Sequence, residues 1–194
     1  MSSAEKRPYL RAGDRRRQLL EAVGRLFDRF GFGGITMAGA AAEAGVSRQL
    51  VYDHFGDLDA LYAAFVEDRL ARYRSGLPDI SALDVDKAAA AMFRHLLTIP
   101  PTDRRVVRLL VADVGLAALD RVRDQFRGDE LARWPRQARS GRRAATASVV
   151  IWTTTSALLA LADTVTTGDI TETEATRMAV AIVRSTSISP QLDE

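Results

Sequence analysis

Two helix-forming runs, each too short to fold alone, flank Gly45-Val46-Ser47, and they constrain the chain more than any other stretch. The first, Met37 to Ala44, is rich in alanine, which favours helix and lets a neighbour approach closely. The second runs from Arg48 to about His54. Gly45 can adopt the positive φ that ends the first run. Ser47 can cap the second, and Val46 can fill the gap between the two. Helices joined in this way fit a helix-turn-helix, whose second helix lies in a major groove with its N-terminal residues near base edges. Ser47, Arg48 and Gln49 then face the groove. Arginine suits guanine O6/N7, and glutamine suits adenine N6/N7. Spacing alone also suits any other pair of short helices that needs a turn.

The remainder reads as helix as well. There is no sustained period-2 alternation and no Asn-Gly or Asp-Gly hairpin signal. Leu19, Val23, Leu26, Phe27 and Phe30 form one helical face; Asp14 is placed to cap that helix and Gly31-Phe32-Gly33-Gly34 to stop it. Thr36 can cap the alanine-rich helix and Asp57 a fourth helix that runs to about Ser75. Longer helices follow over about 83–99, 102–133 (with a break near Gly115 or Leu119) and 142–167. The capping-box spacing Thr171-Glu172-Thr173-Glu174 opens a last one, to about Ser187. The expected fold is all-α with about nine helices.

The chain has 194 residues, 47% hydrophobic and 27% charged, ordinary for a globular protein of this length. It has no cysteine, so disulfides and thiolate metal sites are excluded. Its start, MSSAEKRPYLRAGDRRR, lacks the apolar core of a signal peptide, and a cytoplasmic location is expected. The most apolar stretch, Ala144 to Ala162, is interrupted by threonines and serines and reads as a buried helix rather than a membrane span. Net charge is only +2, but residues 1–50 hold nine Lys/Arg against five Asp/Glu. A basic N-terminal end suits a polyanion as well as it suits a solvated tail.

Two histidines, His54 and His95, lack the i, i+4 pairing of a zinc site. No nucleophile–base constellation and no glycine-rich phosphate loop appears. An enzyme, a metal centre and a cofactor are not expected.

Three further pieces surround the helix-turn-helix: Leu26-Phe27 followed by Gly31-Phe32 and Ile35-Thr36; the turn Ala44-Gly45-Val46-Ser47; and Tyr52, His54, Phe55 with Leu61 beyond. Together, residues 14–65 resemble the DNA-binding domain of the TetR-family transcriptional regulators. The resemblance implies a three-helix DNA-binding domain at 14–56, preceded by a flexible basic arm at 1–13. A ligand-binding and dimerisation domain at 57–194 follows, with helix 57–75 as connector. It implies a cytoplasmic homodimeric repressor of transcription, released from a double-stranded DNA operator by a small-molecule effector. By position, it makes Thr36 and Tyr52 phosphate contacts and puts His54 near the backbone. One departure stands out: Leu58 occupies the place where the family usually has a lysine. Arg11, Arg15, Arg16 and Arg17 are candidates to compensate, by reaching a phosphate or the minor groove.

In the second half, Met92, Phe93, Leu96, Leu109, Leu110, Val114 and Trp152 are candidates to line a pocket for a mostly apolar ligand. The last two helices are apolar around much of their circumference, and self-association would cover them. Val149, Leu159, Met178 and Ile182 are the candidate interface residues. Two alternatives stay open: a DNA-binding regulator without a small effector, and a helical enzyme with an incidental N-terminal motif.

Overall fold

The computed structural model describes residues 12–112, 115–133 and 144–187. Among these residues there are nine α-helices and no strand. Contacts divide the chain into two compact units, Met1–Asp68 and Arg69–Glu194.

The first unit begins with α1 (Ala12–Phe30), then a 3-10 turn (Phe32–Gly34), α2 (Met37–Ala44) and α3 (Arg48–Phe55). α4 (Leu58–Ser75) starts in this unit, and the division between the units falls within it. α1 starts earlier than the cap assignment implies. Asp14 lies inside its first turn, where it pairs with Arg17 at 3.3 Å instead of capping. Leu19, Val23 and Phe27 of α1 are fully buried with Val51, Leu61 and Phe65. Phe30 leaves the expected stripe and is 64% exposed. The chain reverses just after it, and the 3-10 turn delivers Phe32 in its stead. The Phe32 ring lies 5.0 Å from Phe27 and 5.5 Å from Tyr62. Tyr62 fastens that turn by donating its hydroxyl to Phe32 O at 3.0 Å.

The second unit holds the end of α4, α5 (Val85–Thr98), α6 (Pro101–Ala112), a 3-10 turn (Ala117–Leu119), α7 (Asp120–Arg133), α8 (Ala144–Thr167) and α9 (Glu172–Ser187). Asp84 caps α5 by accepting from Lys87 N at 2.9 Å. Pro101 opens α6, a position where the missing N–H is no loss. The break expected near Gly115 or Leu119 is real: α6 ends at Ala112, Gly115 takes a φ of 67°, and a 3-10 turn precedes α7. Thr171 and Glu174 form the capping box, with Glu174 N donating to Thr171 Oγ1 at 3.2 Å and Thr171 N to Glu174 Oε2 at 3.1 Å.

α8 packs against α5, α6, α7 and α9. Its segment Val149–Thr167 is long and apolar enough to cross a membrane by length and composition. Its contacts are those of a core helix: Leu158, Leu159 and Ala162 are buried, and Asp163 is held by Arg104 and Arg108. Arg104, 2% exposed, joins three helices of this unit. It donates to Leu96 O and Ile99 O at 3.2 and 3.1 Å, and to Asp163 and Thr166 of α8 at 3.0 and 2.6 Å.

Candidate nucleic-acid interface

The turn between α2 and α3 is built from backbone chemistry that the sequence encodes locally. Gly45 sits at φ 66°, ψ 40°, the left-handed conformation that costs a side chain energy. Its N–H donates to Ala42 O at 3.1 Å and that of Val46 to Ala41 O at 3.0 Å, which satisfies the last carbonyls of α2. Ser47 then starts α3, its Oγ accepting from Leu50 N at 3.2 Å. Thr36 does the same for α2, accepting from Gly39 N at 2.9 Å.

Val51 and Phe55 anchor α3 inward, one turn apart, while Leu50 and Val46 are half-buried. Val51 is the buried contact that the sequence reading missed; its i, i+4 spacing to Phe55 is the signal that marks it. The opposite side of α3 is open. Ser47, Arg48, Gln49 and Asp53 are exposed, and Tyr52 is 40% exposed. His54 is half-buried. Four of the expected residues (Ser47, Arg48, Gln49 and Tyr52) thus share one short accessible helix, and exposed Thr36 stands at the start of α2 in the same unit.

The basic residues of α1 are all engaged within the unit. Arg15, Arg16 and Arg17 all lie on α1. Arg16 is turned onto the end of α3. Its guanidinium donates to His54 O at 3.3 Å and lies 4.7 Å from the Phe55 ring centroid. A cation at the C-terminal end of a helix meets the negative end of its dipole, so Arg16 holds α3 in place. Arg15 donates to Gln18 at 2.6 Å. Arg25 and Arg29 are both committed to Glu43 of α2, and their hydrogen bonds hold its carboxyl below the ordinary value. Residues 1–11 of the expected arm, Arg11 among them, lie outside the described residues.

α4 opens on Asp57, which accepts from Ala60 N at 2.8 Å, followed by half-buried Leu58 and exposed Asp59. With Asp53, this gives three exposed carboxylates around the C-terminal end of α3 and the start of α4.

In the second unit the expected pocket residues are mostly packed away. Met92, Phe93, Leu96 and Leu110 are 3% exposed or less, Leu109 and Trp152 are half-buried, and Val114 lies outside the described residues. Trp152 meets Phe126 at 6.1 Å between ring centroids, with the Arg127 guanidinium 5.6 Å from its ring. The neighbouring hydroxyls do not cluster around it: Thr153 donates back to Val149 O and Thr154 pairs with Thr186. Hollows in this unit are lined by other residues. One of about 490 Å³ lies between Leu77–Ser81 and Asp129, Ala132 and Arg133. Another, of about 250 Å³, borders His95, Arg72, Gly76 and Asp103.

The candidate interface residues also separate. Val149 and Met178 are exposed at 64% and 47%, and Ile182 is half-buried. Leu159 corrects the expectation: it is fully buried within the single chain, on the side of α8 that meets the other helices. Met178 borders an apolar hollow of about 420 Å³ with Ile170, Glu174, Arg177 and Ala181.

Residues 19–65 match the family model described as bacterial regulatory proteins, tetR family. No curated protein sequence matches the chain. Among solved structures, a TetR-like transcriptional regulator from Rhodococcus sp. RHA1 is similar at 19% identity and a TM-score of 0.68, covering 91% of this chain and 97% of that one. MexZ, a key repressor responsible for antibiotic resistance in Pseudomonas aeruginosa, is similar at 23% identity and a TM-score of 0.61, covering 93% and 98%. The multidrug binding protein EbrR, solved with imidazole, is similar at 21% identity and a TM-score of 0.62, also covering 93% and 98%.

Proposed function

We propose that this chain, a TetR-family transcriptional regulator, binds a DNA operator as a homodimer and represses transcription until a small, mostly apolar ligand releases it. The observation that carries the reading is α3: a capped helix of eight residues, anchored inward by Val51 and Phe55, that offers Ser47, Arg48 and Gln49 at its N-terminal end. Those are the positions that reach base edges when a second helix enters the major groove. Arg48 would read guanine, and Thr36 and Tyr52 would hold phosphates, which fixes register without reading sequence.

Dimerisation would use α8 and α9, where Val149, Met178 and Ile182 remain accessible. A twofold dimer presents two α3 helices to half-sites roughly one helical turn apart. Release follows if the ligand prefers a different spacing of the two heads; a tenfold loss of DNA affinity needs about 1.4 kcal/mol of coupling. α4 is the candidate lever, because both units contain part of it. Structures of similar fold include a multidrug binding protein and a repressor, which is in keeping with a ligand-binding repressor. Regulation without a small ligand is the second reading, favoured by the closed packing of Met92, Phe93 and Leu96.

Selection of bound sequences from random DNA tests the proposal. The full chain should enrich a site of two symmetric half-sites at moderate salt. Arg48→Ala should lose roughly 1–3 kcal/mol of discrimination at one position of each half-site. No enrichment by the unaltered chain would overturn the DNA-binding reading. Light scattering should show a dimer that Met178→Asp weakens; a monomer at micromolar concentration would remove the dimer.

A further inference from the structure

Gln49 and Asp53 lie one turn apart on the exposed face of α3, and Gln49 Nε2 is 2.8 Å from Asp53 Oδ1. A carboxylate can only accept, so the amide nitrogen must be the group turned towards it. The amide oxygen therefore points away from Asp53. Glutamine otherwise presents either end of its amide to a partner, and at this position Asp53 removes that freedom. Gln–Asp pairs at this spacing are a recognised stabilising contact of helices.

We infer that Asp53 is a positioning residue for base recognition: it locks the Gln49 amide with its oxygen outward, so that this position of the half-site favours a base with an exocyclic amino group. The inference rests on the DNA-binding reading above and deepens it. In the major groove adenine offers N6–H and cytosine N4–H, whereas guanine shows O6 and N7 and thymine shows O4, all acceptors. An outward carbonyl oxygen accepts from the first two; against guanine or thymine only the second N–H of the amide finds a partner, and the oxygen faces a like acceptor. Adenine is the better partner, because its N7 also takes the second N–H of the Gln49 amide. The cost of this arrangement is a carboxylate close to the DNA, which works against the phosphate-attracting residues. The stretch thus holds a negative charge in a place where affinity alone would not put one.

The test is sequence selection with the full-length chain and four variants: Asp53→Ala, Asp53→Asn, Gln49→Ala and the double variant Gln49→Ala/Asp53→Ala. The unaltered chain should favour adenine or cytosine over guanine and thymine at one position per half-site by about fivefold, the scale of one hydrogen bond. Asp53→Ala should flatten that position while the remaining positions keep their preferences. Asp53→Asn can donate as well as accept, so it no longer fixes which end of the Gln49 amide faces it and should weaken the preference, while loss of the charge tightens binding to all sequences alike. In the Gln49→Ala background, Asp53→Ala should change nothing further at that position. An unchanged profile for Asp53→Ala overturns the inference, as does a shift that persists when Gln49 is absent, which would make Asp53 itself the reader. If the unaltered chain enriches no sequence, the DNA-binding reading fails instead, so the two failures are distinct.

Discussion

Replacing Arg104 with methionine should unpick the second unit more than any surface change. The side chain is 2% exposed and its stem is packed, so methionine keeps much of the volume and removes the donors. Two of the orphaned acceptors, Leu96 O and Ile99 O, belong to the end of α5. The next two residues are Pro100 and Pro101, which have no N–H to offer. Leu96 O thus has no N–H four residues on to take over from the guanidinium. Removing one partner of a buried ion pair costs about 3–5 kcal/mol. Asp163 is 37% exposed and keeps Arg108, which places the loss at the lower end, about 3 kcal/mol. For a chain of this length that corresponds to a fall in Tm of about 6–12 °C. Thermal and urea unfolding followed by circular dichroism would measure it, with the exposed Arg105→Met as control. A loss under about 1 kcal/mol would refute the reasoning, because it would mean that water satisfies both carbonyls as well as Arg104 does.

Three further outcomes are expected. Burial holds the His95 imidazole below its ordinary 6.5, against a hydrogen bond to Tyr73 O that acts the other way and with Arg133 adding to the depression. The unfolded chain therefore binds more protons as pH falls below 6.5, and stability is lost from there down to the depressed native value. Burial lifts the Glu130 carboxyl above 4.5, which acts in the opposite sense on acidification, so the urea midpoint of His95→Gln should be compared with that of the unaltered chain across about pH 5 to 8. Equal pH slopes would exclude His95 as the cause. Gly34→Ala should destabilise the first unit, since a Cβ there would overlap Phe30 Cβ, the unyielding root of a side chain. An unaltered melting profile would show that the end of α1 shifts freely. Ser47→Ala removes the cap on Leu50 N and should cost about 1 kcal/mol together with DNA affinity, read by urea titration and by binding; full retention of both would dismiss the cap as a determinant of α3.

Much of the local structure was legible in the order of residues. Thr36, Ser47, Asp57 and the Thr171–Glu174 pair act on groups three residues away, so spacing along the chain finds them, although Asp14, placed by the same logic, lies inside α1. Gly45 is legible for the same reason, because its left-handed φ is a property of one residue. The exposed row Ser47, Arg48 and Gln49 follows from the cap, which sets where α3 starts and hence which side chains come first. The Gln49–Asp53 contact also spans a single turn of α3, at the i, i+4 spacing that chain order alone displays.

What the chain order could not decide is which competing apolar or charged group reaches a given place. Phe30 fits the stripe of α1 as well as Phe27 does, but Phe32 takes the space, and only the arrival of Tyr62 and Phe65 from α4 settles that. Arg16 reads as a candidate for a phosphate until α3 is packed beside α1 and the His54 carbonyl near its end lies within reach, 38 residues further on. Leu159 and Val149 are both apolar residues of α8, yet one is fully enclosed and the other exposed, because neighbouring helices cover one side of α8 and not the other. The sequence by itself determined the helical character of the described residues, most of the caps and the helix-turn-helix. Tertiary packing decided what Arg16 and Arg104 hold and which apolar faces remain open, since those depend on partners brought together from distant positions.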